Sequence, residues 1–367
     1  MKICQITPYW DVTGGITTVV TNLVNELIKR ENEVYVLSSD LKKTDDNLFK
    51  LSNSFITKNK EILAILRRIK PDVVHVHAHG TLLPATLIYK YFFNNKVKLL
   101  CTFHTKPSSG SELTKTQNNR SKLRDAFVNL MMHLLDYNVF VSEDLVDSYK
   151  KYMGVTTTKN NYVIYNGISK PNVDEQRALR FKEKIEIEDK TTVFSMISNL
   201  QWDLKVIGVG KLIQAFDKFN KQVDSNTKLF IAGDGEFRAY LEKILKEVNN
   251  ENIILLGQIS NVEELLFLTD IYCHISPQEG CSMAILEAMV MEKNILTVHG
   301  GGNGEIIKDE INGIIVPYDD NLILEGLIRS YKKKDDDSMK KKAYLDATTK
   351  YSWKSITDNY INLYLKE

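Results

Sequence analysis

Short, nearly continuous apolar runs alternate along the chain with longer stretches whose apolar positions recur three and four residues apart. The runs are the pattern of strands buried on both faces, and the longer stretches that of helices covering them. In the first half, Lys2–Ile6, Glu33–Ser38, Pro71–His79, Leu99–Thr105, Tyr137–Ser142 and Asn161–Ile168 read as strands. Helices are predicted from about Ile16 to Lys29, near Lys60–Arg68 and over Ser142–Tyr152. The second half restarts the pattern with strands at Thr192–Leu200, Lys228–Ala232, Ile253–Leu256, Ile271–Ile275, Ile295–Val298 and Gly313–Pro317. Alternation of this kind predicts an α/β protein built on parallel sheets. Tyr351–Leu365 reads as a closing aromatic-rich amphipathic helix.

Between Ser169 and Lys190 the sequence is polar, with little periodicity beyond one short helix, and reads as a linker. The expected organisation is therefore a domain over 1–168, a linker over 169–190, a second domain over 191–345 and a C-terminal helix over 346–367. A length of 367 residues agrees with more than one core. Lys+Arg 48 against Asp+Glu 47 leaves a net charge of +1, which offers nothing to nucleic acid as a global field. Cys4, Cys101, Cys273 and Cys281 fall mostly in apolar runs without metal-ligand spacing, so reduced thiols in a cytoplasmic protein are expected. The opening Met1–Tyr9 reads as strand and turn, not as a signal peptide.

Candidate chemistry concentrates in Ser276–Met289, where Glu279 precedes and Glu287 follows a predicted loop-to-helix junction. A helix N-terminus offers unpaired amides and a partial positive charge, so Gly280, Cys281, Ser282 and Met283 could hold phosphate or sugar oxygens. Two carboxylates near such a turn suit a polyhydroxylated ligand, since each accepts hydroxyl protons. Gly14-Gly15 follows the first strand and permits close approach of a ligand to a helix start. His104 ends a strand, where an imidazole can meet a phosphate or an acceptor hydroxyl. Lys205 could reach an anionic leaving group. The alternating His75, His77 and His79 share one strand face, but with no Cys or carboxylate ligand nearby they are read as packing or ligand contacts, with no metal site expected. Lys106, Lys115, Arg120, Lys122 and Arg124 have few acidic partners. This basic run is either a solvated loop or a contact for an acidic acceptor or an anionic membrane.

These motifs together resemble the family 4 retaining glycosyltransferases, in order and over nearly the whole chain. The matching stretches are Gly14-Gly15, Asp72–His77, Thr102–Thr105, Val139–Glu143, Val163–Gly167, Ala232–Gly235, Glu279–Glu287, Gly301–Glu305 and Asn312–Pro317. The resemblance implies the GT-B fold, two facing Rossmann-like domains with parallel sheets and a C-terminal helix packing back toward the N-terminal domain. It further implies that Glu279 contacts the transferred sugar, that Gly280–Met283 meet sugar and diphosphate, and that Glu287 binds the ribose. Lys205 resembles the family's phosphate-binding lysine, Gly15 would approach the diphosphate or acceptor, and His104 would line the reaction centre. Asn199 stands where the family often has arginine, and Asn199 and Gly233 join the implied donor-binding set. The implied activity is retaining transfer of a hexose from a nucleoside diphosphate sugar, UDP-activated first, to a glycan, lipid-linked or polysaccharide acceptor. No cofactor beyond that co-substrate is implied, and the place of action is the cytoplasm or the inner face of the membrane. The alternatives are a sugar-nucleotide epimerase or phosphorylase and an inactive GT-B partner subunit.

Overall fold

A computed structural model describes residues 1–12, 14–77, 80–107, 119–153 and 160–366. The chain forms two units. The first comprises the described residues up to Gly167 together with Ser352 onward, and the second runs from Ile168 to Tyr351.

In the first unit the order is β1 (Lys2–Thr7), α1 (Gly15–Lys29), β2 (Glu33–Ser38), β3 (Leu48–Lys50), α2 (Phe55–Ile69), β4 (Val73–His77), α3 (Leu83–Phe92), β5 (Lys98–Phe103), α4 (Asn119–Met132), β6 (Tyr137–Phe140), α5 (Glu143–Met153) and β7 (Asn161–Val163). The strands pair in parallel as β3-β2-β1-β4-β5-β6-β7, so the strand order reverses between β1 and β4. Val73 to His77 is buried throughout, which explains why β4 reads as an unbroken apolar run with histidines instead of alternating with polar residues. Three elements of this unit, β3, α3 and α4, are additional to the sequence expectation. The strand β3 is short and half-exposed, and α3 is apolar nearly all round, so neither shows a clear period.

The second unit continues with α6 (Glu175–Lys184), β8 (Thr192–Ile197), α7 (Asp203–Gln222), β9 (Thr227–Ala232), α8 (Arg238–Val248), β10 (Ile253–Gly257), α9 (Val262–Leu268), β11 (Ile271–His274), α10 (Met283–Val290), β12 (Asn294–Val298), α11 (Asn303–Ile306), β13 (Ile314–Val316), α12 (Asp320–Lys332) and α13 (Asp337–Thr349). Its parallel sheet runs β10-β9-β8-β11-β12-β13, reversing between β8 and β11. Phe194, Phe216 and Phe219 pack edge to face and tilted inside its main core. The last helix, α14 (Trp353–Leu365), returns to the first unit and lies along α1. Two Rossmann-like parallel-sheet domains are thus what the alternating pattern encodes.

Candidate functional site

In open parallel sheets a ligand crevice opens beyond the carboxyl ends of the two strands where the order reverses. In the second unit those strands are β8 and β11. The segment after β8 leads into α7 and supplies Lys205, and the loop after β11 supplies Glu279. Lys205 Nζ lies 2.8 Å from Glu279 Oε1, so one ion pair bridges the reversal point. His274, at the end of β11, brings Nε2 within 3.2 Å of the same oxygen. Glu279 is only 9% exposed. Burial alone would raise its carboxyl pKa, but the Lys205 charge and the His274 hydrogen bond outweigh it and hold the group well below the usual range. Glu279 is therefore a buried, ionised acceptor.

The loop carrying Glu279 is fastened from below by the turn after β12. Gly302 donates its amide to the Glu279 carbonyl at 2.9 Å, and Asn303 donates Nδ2 to the Ser276 carbonyl at 2.8 Å. Gly301 has φ +58°, and a Cβ there would stand 2.1 Å from the Glu279 carbonyl oxygen, so only glycine lets the two turns meet. Thr297 adds a hydroxyl bond to the His274 carbonyl at 2.8 Å. Ser282 caps α10, accepting from the Ile285 amide, and this sets Gly280, Cys281 and Met283 at the helix start. Glu287 lies in α10, its carboxyl pKa pushed up to about 7 by burial and then by the Glu263 charge. At the neighbouring strand ends, Asn199 is exposed and accepts from the Gln201 amide at 2.9 Å, and Gly233 donates its amide to the Gly257 carbonyl at 2.8 Å.

The other two sequence candidates belong to the first unit. Gly15 is exposed and opens α1, directly after β1. His104 follows β5, its Nε2 3.2 Å from Nδ1 of His77. His77 Nε2 pairs at 2.8 Å with Gln5 Oε1, and His75 pairs with the Tyr364 hydroxyl at 2.7 Å and with Thr102 Oγ1 at 2.7 Å. Burial draws His75 down to about 3 and His77 well below its ordinary value, with nearby imidazoles adding to the effect, so both rings are neutral. These two histidines thus tie β1, β4 and β5 to α14. His79 and the stretch 108–118 of the basic run lie outside the described residues. Among the described residues no group of three His, Cys, Asp or Glu is arranged to hold a metal ion, and no helix is long and apolar enough to cross a membrane.

Sequence reasoning missed His274 and Asn303 as site residues. His274 stands inside an apolar run and reads as core, although its place five residues before Glu279 at a strand end was a usable signal. The role of Asn303 depends on a contact across twenty-seven positions that no local pattern encodes.

Comparison with known proteins adds two family models. One, described as "Glycosyltransferase Family 4", matches residues 13–170, and the other, "Glycosyl transferases group 1", matches residues 178–346. An uncharacterized glycosyltransferase of Methanocaldococcus jannaschii is 25% identical over 99% of this chain and 98% of its own length. The N-acetyl-alpha-D-glucosaminyl L-malate synthase of Bacillus anthracis is 24% identical over 84% of this chain and 81% of its own. Among solved structures, Anabaena HepE in complex with UDP superposes with a TM-score of 0.80 at 15% identity, covering 99% of each chain.

Proposed function

The chain belongs to the group 1, family 4 glycosyltransferases of GT-B fold, and on that premise we propose that it takes its sugar from a nucleoside diphosphate sugar. The donor is a UDP-activated hexose-type sugar bound on the second unit, transfer retains the anomeric configuration, and the acceptor is a glycan, lipid-linked or polysaccharide. One observation carries this reading: the Lys205–Glu279 pair across the reversal point between β8 and β11. It puts a cation and a hydroxyl acceptor side by side, as a sugar attached to a diphosphate requires.

The chemistry follows from the leaving group. Cleavage of the anomeric C–O bond leaves negative charge on the diphosphate, and fixed donors around it lower the barrier. In this reading Lys205 moves from Glu279 to the diphosphate, the amides at the start of α10 supply further donors, and Glu279 accepts from the sugar hydroxyls. Glu287 accepts from the ribose. Support for UDP comes from the ligand in the HepE structure, and the relative named for L-malate makes a small hydroxy acid the second acceptor class to try.

A thermal-shift panel of UDP-, GDP- and ADP-sugars on wild type and Glu279→Ala tests the reading. A ligand at a hundred times its Kd stabilises by about 2.7 kcal/mol. One base class should therefore raise the wild-type midpoint clearly, and Glu279→Ala should lose the part of that rise due to the sugar. A wild type that responds to none of them refutes the donor assignment.

A further inference from the structure

The two oxygens of the Glu279 carboxylate are held unequally. Lys205 Nζ and His274 Nε2 both meet Oε1, at 2.8 and 3.2 Å, and among the described residues no contact engages Oε2. An ionised carboxylate can only accept, so the ring nitrogen that meets Glu279, Nε2, bears a proton. On the other side of the ring Nδ1 faces the hydroxyl of Tyr272, fully buried in β11, 3.3 Å away. The Nε2 proton faces Glu279 Oε1 and, at 3.3 Å, Ser282 Oγ. The His274 side chain is 4% exposed, so water does not compete for that proton.

We propose that His274, oriented by Tyr272, is a positioning residue that grips Glu279 by Oε1 and so directs Oε2 to accept from a hydroxyl of the donor's sugar. This rests on the donor reading given above. Lys205 cannot do the same work throughout. It is the cation the diphosphate recruits, and its flexible stem is 28% exposed. Once Lys205 turns to phosphate, His274 is the remaining grip on Oε1. The Glu279 carboxylate it holds is ionised, and an ionised acceptor forms the stronger hydrogen bond to a sugar hydroxyl.

The test separates sugar from nucleotide. Dissociation constants for the nucleoside diphosphate of the preferred base and for the matching sugar nucleotide are measured by calorimetry on wild type, His274→Leu and His274→Gln. Loss of one hydrogen bond to an ionised group predicts that His274→Leu weakens the sugar nucleotide by about 10- to 100-fold. Its affinity for the bare diphosphate should be unchanged, and His274→Gln, whose amide can place an N–H near the lost Nε2, should recover most of the loss. Equal losses for both ligands, or a Gln variant as poor as Leu, overturn the proposal. If the wild type binds no nucleoside diphosphate, the donor reading fails, and the positioning chain is still judged without ligand. Imidazole 15N shifts should show His274 as the Nε2–H tautomer in wild type and as a mixture in Tyr272→Phe, and an Nδ1–H ring in wild type overturns it.

Discussion

Replacing Glu287 by glutamine should stabilise the free protein, and by an amount that grows with pH in a defined window. Its carboxyl is pushed from 4.5 to about 7 by burial, with the Glu263 charge adding to the effect. The native state therefore holds a proton on this side chain that the unfolded chain has already released. Below pH 4.5 both states are protonated and the residue carries no penalty. As pH rises from 4.5 to 7 the unfolded state ionises first and wild-type stability falls, and above 7 the penalty is complete. A tenfold change in proton affinity corresponds to about 1.36 kcal/mol, so a displacement from 4.5 to about 7 amounts to about 3 kcal/mol. Glu287→Gln removes that titration while keeping the shape. Urea unfolding of both proteins from pH 5 to 9 should show the difference widening up to about pH 7 and then levelling. Donor affinity should move the opposite way in wild type, since a ribose diol donates to the ionised form. It should fall with acidification below pH 7, by up to about tenfold per pH unit, and Glu287→Gln should lose that slope. A stability difference that stays flat from pH 5 to 9 would refute the reasoning.

Two further substitutions probe the supports of the two units. Gly301→Ala forces an L-residue into φ +58° at a cost of about 1–2 kcal/mol, and its methyl would meet the Glu279 carbonyl oxygen at 2.1 Å. The Glu279 loop must then shift, so sugar-nucleotide binding should fall further than the melting midpoint, and a donor titration unchanged from wild type would count against the clamp. Tyr364→Phe takes away the hydroxyl that serves both His75 Nδ1 and Gln5 Nε2 inside the first unit. Urea unfolding should record a loss of about 1–3 kcal/mol, and an unaltered unfolding midpoint would mean that the network contributes little.

How much of this was visible in the residues alone follows from the range of the interactions. The parallel sheets could be read because β1, β4, β5, β8 and β11 are buried on both faces, and burial of that kind writes itself as continuous apolar runs. Lys205, Glu279 and Glu287 could be singled out because they stand beside strand ends and a helix start, where local rules apply. The tie between Gly301, Asn303 and the Glu279 loop could not, since it joins turns that are separate in sequence. The histidines of β4 show the same limit. Their alternation places them on one face, and the ring centres of His75 and His77 do lie 4.1 Å apart, but their polar partners Gln5, Thr102 and Tyr364 come from distant parts of the chain.

The passage of α14 back to the first unit has a consequence for biosynthesis. While a ribosome is still making the second half, Gln5, His75 and Thr102 have no Tyr360 or Tyr364 to bond, and the surface that α1 gives to α14 stays wet. The second unit, continuous from Ile168 to Tyr351, has all its strands in hand before then. The half made first is thus the half completed last, and a nascent chain stalled short of Trp353 would present an unfinished N-terminal sheet to chaperones and proteases.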